Sequence, residues 1–100
     1  MIEHITIDQL AARTTGGVVI DVREPDEFAA GRVPQAVNIP LQQLPARLGE
    51  IPASGTVAVI CQSGRRSAQG TEVLNAAGIY AVTVDGGTAA WAQAGLPLEH

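Results

Sequence analysis

Cys61 is the only cysteine in this chain, and its neighbours are unusual for a packing residue. It follows the β-branched run Val57-Ala58-Val59-Ile60 and opens the segment Cys61-Gln62-Ser63-Gly64-Arg65-Arg66-Ser67. Gly64 permits a tight backbone turn that a Cβ would obstruct. Successive N–H groups in such a turn can point inward and form a concavity for an anion. The helix expected to follow adds its positive N-terminal end, with Ser67 read as its N-cap. A thiol at the mouth of that concavity would have its pKa drawn from ~8.5 towards ~3.5–7.5. The chemistry this predicts is a thiolate nucleophile beside an anion site. A lone free cysteine is more often simply buried packing, but packing requires no Gln-Ser-Gly-Arg-Arg-Ser behind it.

A cation at the start of a helix is unfavourable for the helix itself, so at least one of Arg65 and Arg66 is expected to serve an anion or a carboxylate. Asp21 ends the run Val18-Val19-Ile20 and is followed by Val22 and Arg23. It is read as a structural partner of a loop arginine, because a buried carboxylate needs one. His4 has no Cys or His at ligand spacing and is read as a surface residue. Trp91 is read as core.

These side chains need elements to carry them. Val18–Val22, Val57–Ile60, Ala81–Val84 and the shorter Val37–Ile39 read as strands. Continuous apolar runs of this kind suit a parallel sheet covered on both faces. Helices are predicted between them. Ile7–Arg13 follows a Thr6/Gln9 capping box, with Ile5 and Leu10 placed for a hydrophobic staple. Pro25–Ala30 has Pro first and Gly31 as stop. Leu41, Leu44 and Leu48 mark one helix face. Arg66–Ala77 ends at Gly78, and Thr88–Ala94, with Thr88 as N-cap, ends at Gly95. In an open parallel sheet ligands bind beyond the carboxyl ends of the strands. Three such ends run into Arg23-Glu24, into the Cys61 segment and into Asp85-Gly86-Gly87.

Composition narrows the classes. The chain has 100 residues, 46% of them hydrophobic, and a formal charge of −4. One domain over residues 1–100 is the expectation; Leu98-Glu99-His100 fit a native end and the stub of an expression tag equally. An acidic chain argues against a nucleic-acid partner. No apolar run approaches the ~20 residues of a membrane span. A single cysteine allows no internal disulfide and no structural cysteine-type zinc site. Neither a metal nor another cofactor is expected, and the reducing cytoplasm is the default compartment.

Four stretches together resemble the single-domain rhodanese (rhodanese-like sulfurtransferase) family. They are Asp21-Val22-Arg23-Glu24 with Glu27-Phe28; Gly31-Arg32-Val33-Pro34-Gln35-Ala36-Val37-Asn38-Ile39-Pro40; the loop Cys61–Ser67; and Asp85-Gly86-Gly87 with Ala90-Trp91. The resemblance covers almost the whole chain. It implies a small three-layer α/β fold, with a mostly parallel sheet of about five strands flanked by helices on both faces. It also implies a sulfur relay. Cys61 attacks the outer sulfur of an anionic donor such as thiosulfate and keeps it as a persulfide. A second nucleophile then takes it: cyanide, a cellular thiol or a sulfur-accepting protein. Cys61 is then the catalytic residue, Gln62, Ser63, Gly64, Arg65, Arg66 and Ser67 the substrate-binding loop, and Asp21 and Arg23 its supports. With no second cysteine, the sulfur must leave to an external acceptor. The chain departs from the family's usual pattern at Arg32, where His is usual, at Gln35, where Gly is usual, and at Gln62, where Arg is frequent.

Two rival functions follow from the same loop. One is a cysteine phosphatase or arsenate reductase. Only four residues, Gln62 to Arg65, separate Cys61 from Arg66. The phosphatases of this fold use a loop one residue longer, and the shorter loop favours sulfur over a tetrahedral phosphate. The other rival is a rhodanese-like module that binds a protein or carries sulfur without turnover.

Overall fold

The four apolar runs become neighbouring strands of one sheet, and a fifth strand joins at its margin. The structure is a computed structural model, described for residues 2–13, 17–52 and 55–100. The elements in chain order are β1 (Glu3–Ile5), α1 (Ile7–Ala12), β2 (Val18–Asp21), α2 (Pro25–Ala30), β3 (Val37–Asn38), a 3-10 segment (Leu41–Glu50), β4 (Val57–Ile60), α3 (Arg65–Ala76), β5 (Ala81–Val84) and α4 (Gly87–Gln93). The strand order is β1-β5-β4-β2-β3, and every pairing between named strands is parallel.

Side-chain alternation divides the interior into two layers. Val57, Val59 and Cys61 fall on one face with Ile20, Leu44 and Leu74, under α3 and the 3-10 segment. Ala58 and Ile60 fall on the other with Leu10, Val82, Val84 and Trp91, under α1 and α4. A strand's period of two therefore fixes the layer into which Cys61 drops. Trp91 is core, as its spacing indicated.

Several local expectations changed. Leu41–Glu50 is not a continuous α-helix. Pro45 lacks the N–H that an α-helix needs, Arg47 leaves helical geometry (φ −118, ψ 19), and the chain takes the tighter 3-10 form. Leu44 is still fully buried and Leu41 and Leu48 still pack against the core. β1 carries the polar residues Glu3 and His4, both exposed, so no apolar run announced it. Neither Ser67 nor Thr88 acts as the cap of its helix. α3 begins at Arg65 with Gly64 as N-cap, and α4 begins at Gly87 with Gly86 as N-cap. Ser67 and Thr88 lie inside their helices, with their hydroxyls turned towards the Cys61 loop. The Thr6/Gln9 capping box forms as expected. At the far end of the chain, Arg32 and Glu99 pair through both backbone bonds (2.9 and 2.8 Å), and Leu98 packs on the second layer.

Register brings the predicted loops together. Asp21 pairs with Ile60 and Val59 with Thr83. The ends of β2, β4 and β5 are thus nearly level. Arg23, Cys61–Gln62 and Asp85–Gly87 emerge at one edge of the sheet.

Candidate active site

The loop after β4 curls back over its own sulfur. The backbone N–H of Gly64 donates to Cys61 Sγ at 3.1 Å. Gly64 sits at φ +114, in the left-handed region that favours glycine, which aims that N–H inward. Ser67 Oγ is 3.5 Å from the sulfur, donates to Gly64 O at 3.1 Å, and lies 2.7 Å from Thr83 Oγ1. Burial alone pushes the Cys61 thiol up. The Ser67 hydroxyl and the backbone N–H groups of Ser67, Gly64 and Ser63 outweigh it, and the net displacement is downward from the ordinary thiol value. The sulfur sits on the floor of the loop and not at its mouth as the sequence suggested. Cys61 is only 1% exposed.

The back of the loop is clamped by α4. Thr88 N and Thr88 Oγ1 both donate to Cys61 O (2.8 and 3.1 Å), and Ala89 N donates to Gln62 O at 3.0 Å. Gly87 permits this approach. A Cβ there would stand 2.5 Å from Cys61 O.

Asp21 and Arg23 hold the other side. Asp21 finds its arginine two residues on, at Arg23, and not in the thiol loop. The pair is bidentate, with Nη2–Oδ2 at 2.9 Å and Nε–Oδ1 at 3.0 Å, and both side chains are buried. Arg23 also donates to Gly31 O at 2.8 Å and to Gln62 Oε1 at 3.2 Å. The ion pair is thereby coupled to the thiol loop through Gln62. Asn38 Nδ2 fixes the same corner by donating to the carbonyls of Asp21 and Arg23.

The two loop arginines diverge. Arg66 makes a two-pronged pair with Glu27 of α2, at 2.7 and 3.0 Å. Among the described residues Arg65 has no carboxylate partner and is exposed at the loop surface. The Arg66 hydrogen bonds draw the Glu27 carboxyl down from 4.5 to about 2, against a smaller upward push from burial. A carboxyl whose folded pKa lies below its unfolded one contributes stability above the unfolded value, and that contribution is lost as pH falls through the folded value. Stability should therefore decline between pH 4.5 and about 2. Glu27→Gln should flatten that part of the curve, which urea unfolding midpoints across the pH range would show. An unchanged slope would remove the pair from the acid response.

Glu27, Asn38, Thr83 and Thr88 were not among the residues expected at the site. Glu27 and Asn38 lay within motif stretches but carried no role, and nothing local marked Thr83. His4, read as a surface residue, is exposed and pairs with Asp85 at 2.6 Å. Gln35, which stands at a usual glycine position, keeps the glycine-like geometry with φ 70. A depression of about 340 Å³ opens between α2 and α4 beside the loop, lined by Arg23, Glu27, Ala30, Gln62, Ala89 and Leu98. Among the described residues no three His, Cys, Asp or Glu side chains gather as metal ligands, and no helix is long and apolar enough to cross a membrane.

The family described as "Rhodanese-like domain" matches residues 6–94. A protein named "Sulfurtransferase" from Allochromatium vinosum is 37% identical over 98 residues, covering 97% of this chain and 92% of that one. An uncharacterized protein, slr1261, from Synechocystis is 39% identical over 82 residues, covering 80% of this chain; this chain spans only 45% of its length. The crystal structure of a rhodanese-related protein from Thermoplasma volcanium superposes with a TM-score of 0.92 at 33% identity, covering 97% of each chain.

Proposed function

Because the chain belongs to the rhodanese-like domain family, we propose that it is a sulfurtransferase working through a persulfide on Cys61. In the first half-reaction the Cys61 thiolate attacks the outer sulfur of thiosulfate or a related donor. A new S–S bond forms to Cys61, the donor's own S–S bond breaks, and sulfite leaves with that electron pair. In the second, cyanide or a cellular thiol attacks the outer sulfur of the persulfide. The thiocyanate or new persulfide departs, and Cys61 returns as a thiolate. The inward N–H groups that lower the Cys61 pKa favour the anionic form of both the free sulfur and the persulfide.

The observation that carries this reading is the Gly64 N–H donating to Cys61 Sγ at 3.1 Å, in a loop whose four residues between Cys61 and Arg66 favour sulfur over a tetrahedral phosphate. Arg65 is the substrate-facing cation in this reading, and Arg66, tied to Glu27, is a brace. The depression between α2 and α4 is the approach for the acceptor, whether a small thiol or a sulfur-accepting protein. A lone thiol with no resolving partner also suits the reducing cytoplasm.

The test is mass spectrometry after thiosulfate treatment. The expected result is a gain of one sulfur atom, removed by cyanide as thiocyanate and absent from protein first alkylated at Cys61. No adduct on reduced protein would overturn the proposal, as would phosphatase turnover without thiocyanate formation.

The arginine assignment has its own expected outcome. Arg65→Ala removes one exposed charge–anion contact, a kind of interaction worth roughly 0.2–1 kcal/mol, so the thiosulfate KM should rise about 1.4- to fivefold with kcat nearly unchanged. Steady-state thiocyanate assays would check it. A fall in kcat at constant KM would mean that Arg65 acts on the chemical step instead.

A further inference from the structure

Thr83 is a buried polar residue in the middle of β5, flanked by Val82 and Val84. Its hydroxyl has one side-chain partner among the described residues, Ser67 Oγ at 2.7 Å. Ser67 is in turn, among the described residues, the one side chain that hydrogen-bonds Cys61 Sγ. Three hydroxyl or thiol groups, from β5, from α3 and from the residue that follows β4, therefore form a line that ends on the nucleophile.

Counting hydrogens assigns the direction of this line. Ser67 has a single hydroxyl hydrogen and two lone pairs. Three acceptors lie within reach of that hydrogen: Thr83 Oγ1 at 2.7 Å, Gly64 O at 3.1 Å, and the sulfur at 3.5 Å once it is ionised. When Cys61 is a neutral thiol, its S–H donates to Ser67 Oγ and Ser67 donates to Gly64 O. When Cys61 is a thiolate, the Ser67 hydrogen rotates to the sulfur. Gly64 O then keeps a partner, because Ala68 N donates to it at 3.3 Å. If Ser67 instead gave its hydrogen to Thr83, neither Gly64 O nor the sulfur would receive it.

We propose that Thr83 is a positioning residue for the nucleophile: its hydroxyl donates to Ser67 Oγ, leaving the Ser67 hydrogen for Cys61. This deepens the reading of Cys61 as the sulfur-accepting thiolate and rests on it. The arrangement polarises Ser67 in the donating direction, since hydrogen bonds in a chain strengthen one another. Neutralising the sulfur by protonation forfeits part of that gain, so the Thr83 hydroxyl favours the anionic form.

Other charges near the sulfur are accounted for on separate elements. Arg66 of α3 attracts the thiolate and is tied to Glu27 of α2. Arg65 is exposed on α3. Asp21, the last residue of β2, pairs with Arg23, and Asp85, just after β5, pairs with His4 of β1. None of them hydrogen-bonds Thr83, so its removal leaves them in place.

The experiment titrates the thiolate by its ultraviolet absorbance, with Cys61→Ser as the blank and thermal unfolding to confirm the fold. Thr83→Val keeps the side-chain shape and removes the hydroxyl. Its midpoint should move up by about 0.3–0.7 pH unit, and sulfur uptake below the midpoint should slow by roughly two- to fivefold. Thr83→Ser should restore both. In a Ser67→Ala background, Thr83→Val should shift nothing further, because the effect is routed through Ser67. Thr83→Ala serves as a second variant if Thr83→Val does not fold. A downward shift would mean that Ser67 donates to Thr83, and no shift would mean that the line carries no polarisation; either overturns the assignment. So would an undiminished shift without Ser67. If the parent protein takes up no sulfur yet Thr83→Val still moves the titration, the proposed function fails and the Thr83 assignment stands.

Discussion

Gly87→Ala is expected to dislodge the Cys61 loop and to cost the protein a large share of its stability. The added Cβ would stand 2.5 Å from Cys61 O and 2.7 Å from the carbonyl carbon and oxygen of Gln62. These are backbone atoms, so no flexible side chain can swing aside. The position also has φ +58, where an L side chain is strained. Left-handed strain costs roughly 1–2 kcal/mol and overpacking roughly 1–3, giving a destabilisation of about 2–5 kcal/mol. At about 4–8 °C per kcal/mol for a domain of this size, the melting temperature should fall by about 8 °C or more. Sulfur uptake should fall further than stability explains. The shift needed to clear the Cβ breaks the Thr88 and Ala89 bonds to the loop and moves the N–H groups off the sulfur. Calorimetry and thiosulfate loading, measured where the variant is still folded, would show both. A melting temperature within a few degrees of the parent together with unchanged loading would mean that α4 does not clamp the loop.

Asp21→Ala should be comparably damaging for a different reason. Asp21 is 0% exposed and Arg23 3%, so removing the carboxylate strands a guanidinium in the interior. Breaking one side of a buried pair typically costs about 3–5 kcal/mol. Arg23 would be left with Gly31 O and Gln62 Oε1, which are neutral acceptors, and its hold on the thiol loop would loosen. Replacing both members by apolar residues of similar size, as in Asp21→Leu with Arg23→Met, should recover most of the stability. It should not recover sulfur uptake, because the link to Gln62 is gone. Urea unfolding of the single and double variants is the measurement. A double variant no more stable than Asp21→Ala alone would show that the pair is not what holds this corner.

The sequence was most legible where the chemistry is contiguous. Cys61 and Gly64 lie three residues apart, and the geometry joining them is local, so residue types alone indicated an anion cradle. Val57–Ile60 and Val18–Asp21 were equally readable, because burial on both faces leaves an uninterrupted apolar run. The rest depended on contacts between distant segments. Thr83 is 16 residues from Ser67, and Glu27 is 39 from Arg66. A buried threonine between two valines looks like any strand residue until its partner is known. Ser67 and Thr88 were misread for a related reason. Local preference makes a hydroxyl near a helix start a cap, but here glycines cap both helices and the hydroxyls serve acceptors in the neighbouring loop. In Leu41–Glu50 the leucine spacing outweighed Pro45 in the reading, whereas in the chain the missing N–H decided the helix type.

The outer strands have a consequence for how the molecule tolerates company. β1 is three residues long and β3 two, and they form the two margins of the sheet. Unpaired N–H and C=O groups along a sheet margin are a template on which another chain can polymerise. Here that template is almost absent on either side, and the longer, apolar strands lie inside. Margins this short leave another chain little backbone on which to zip into fibres.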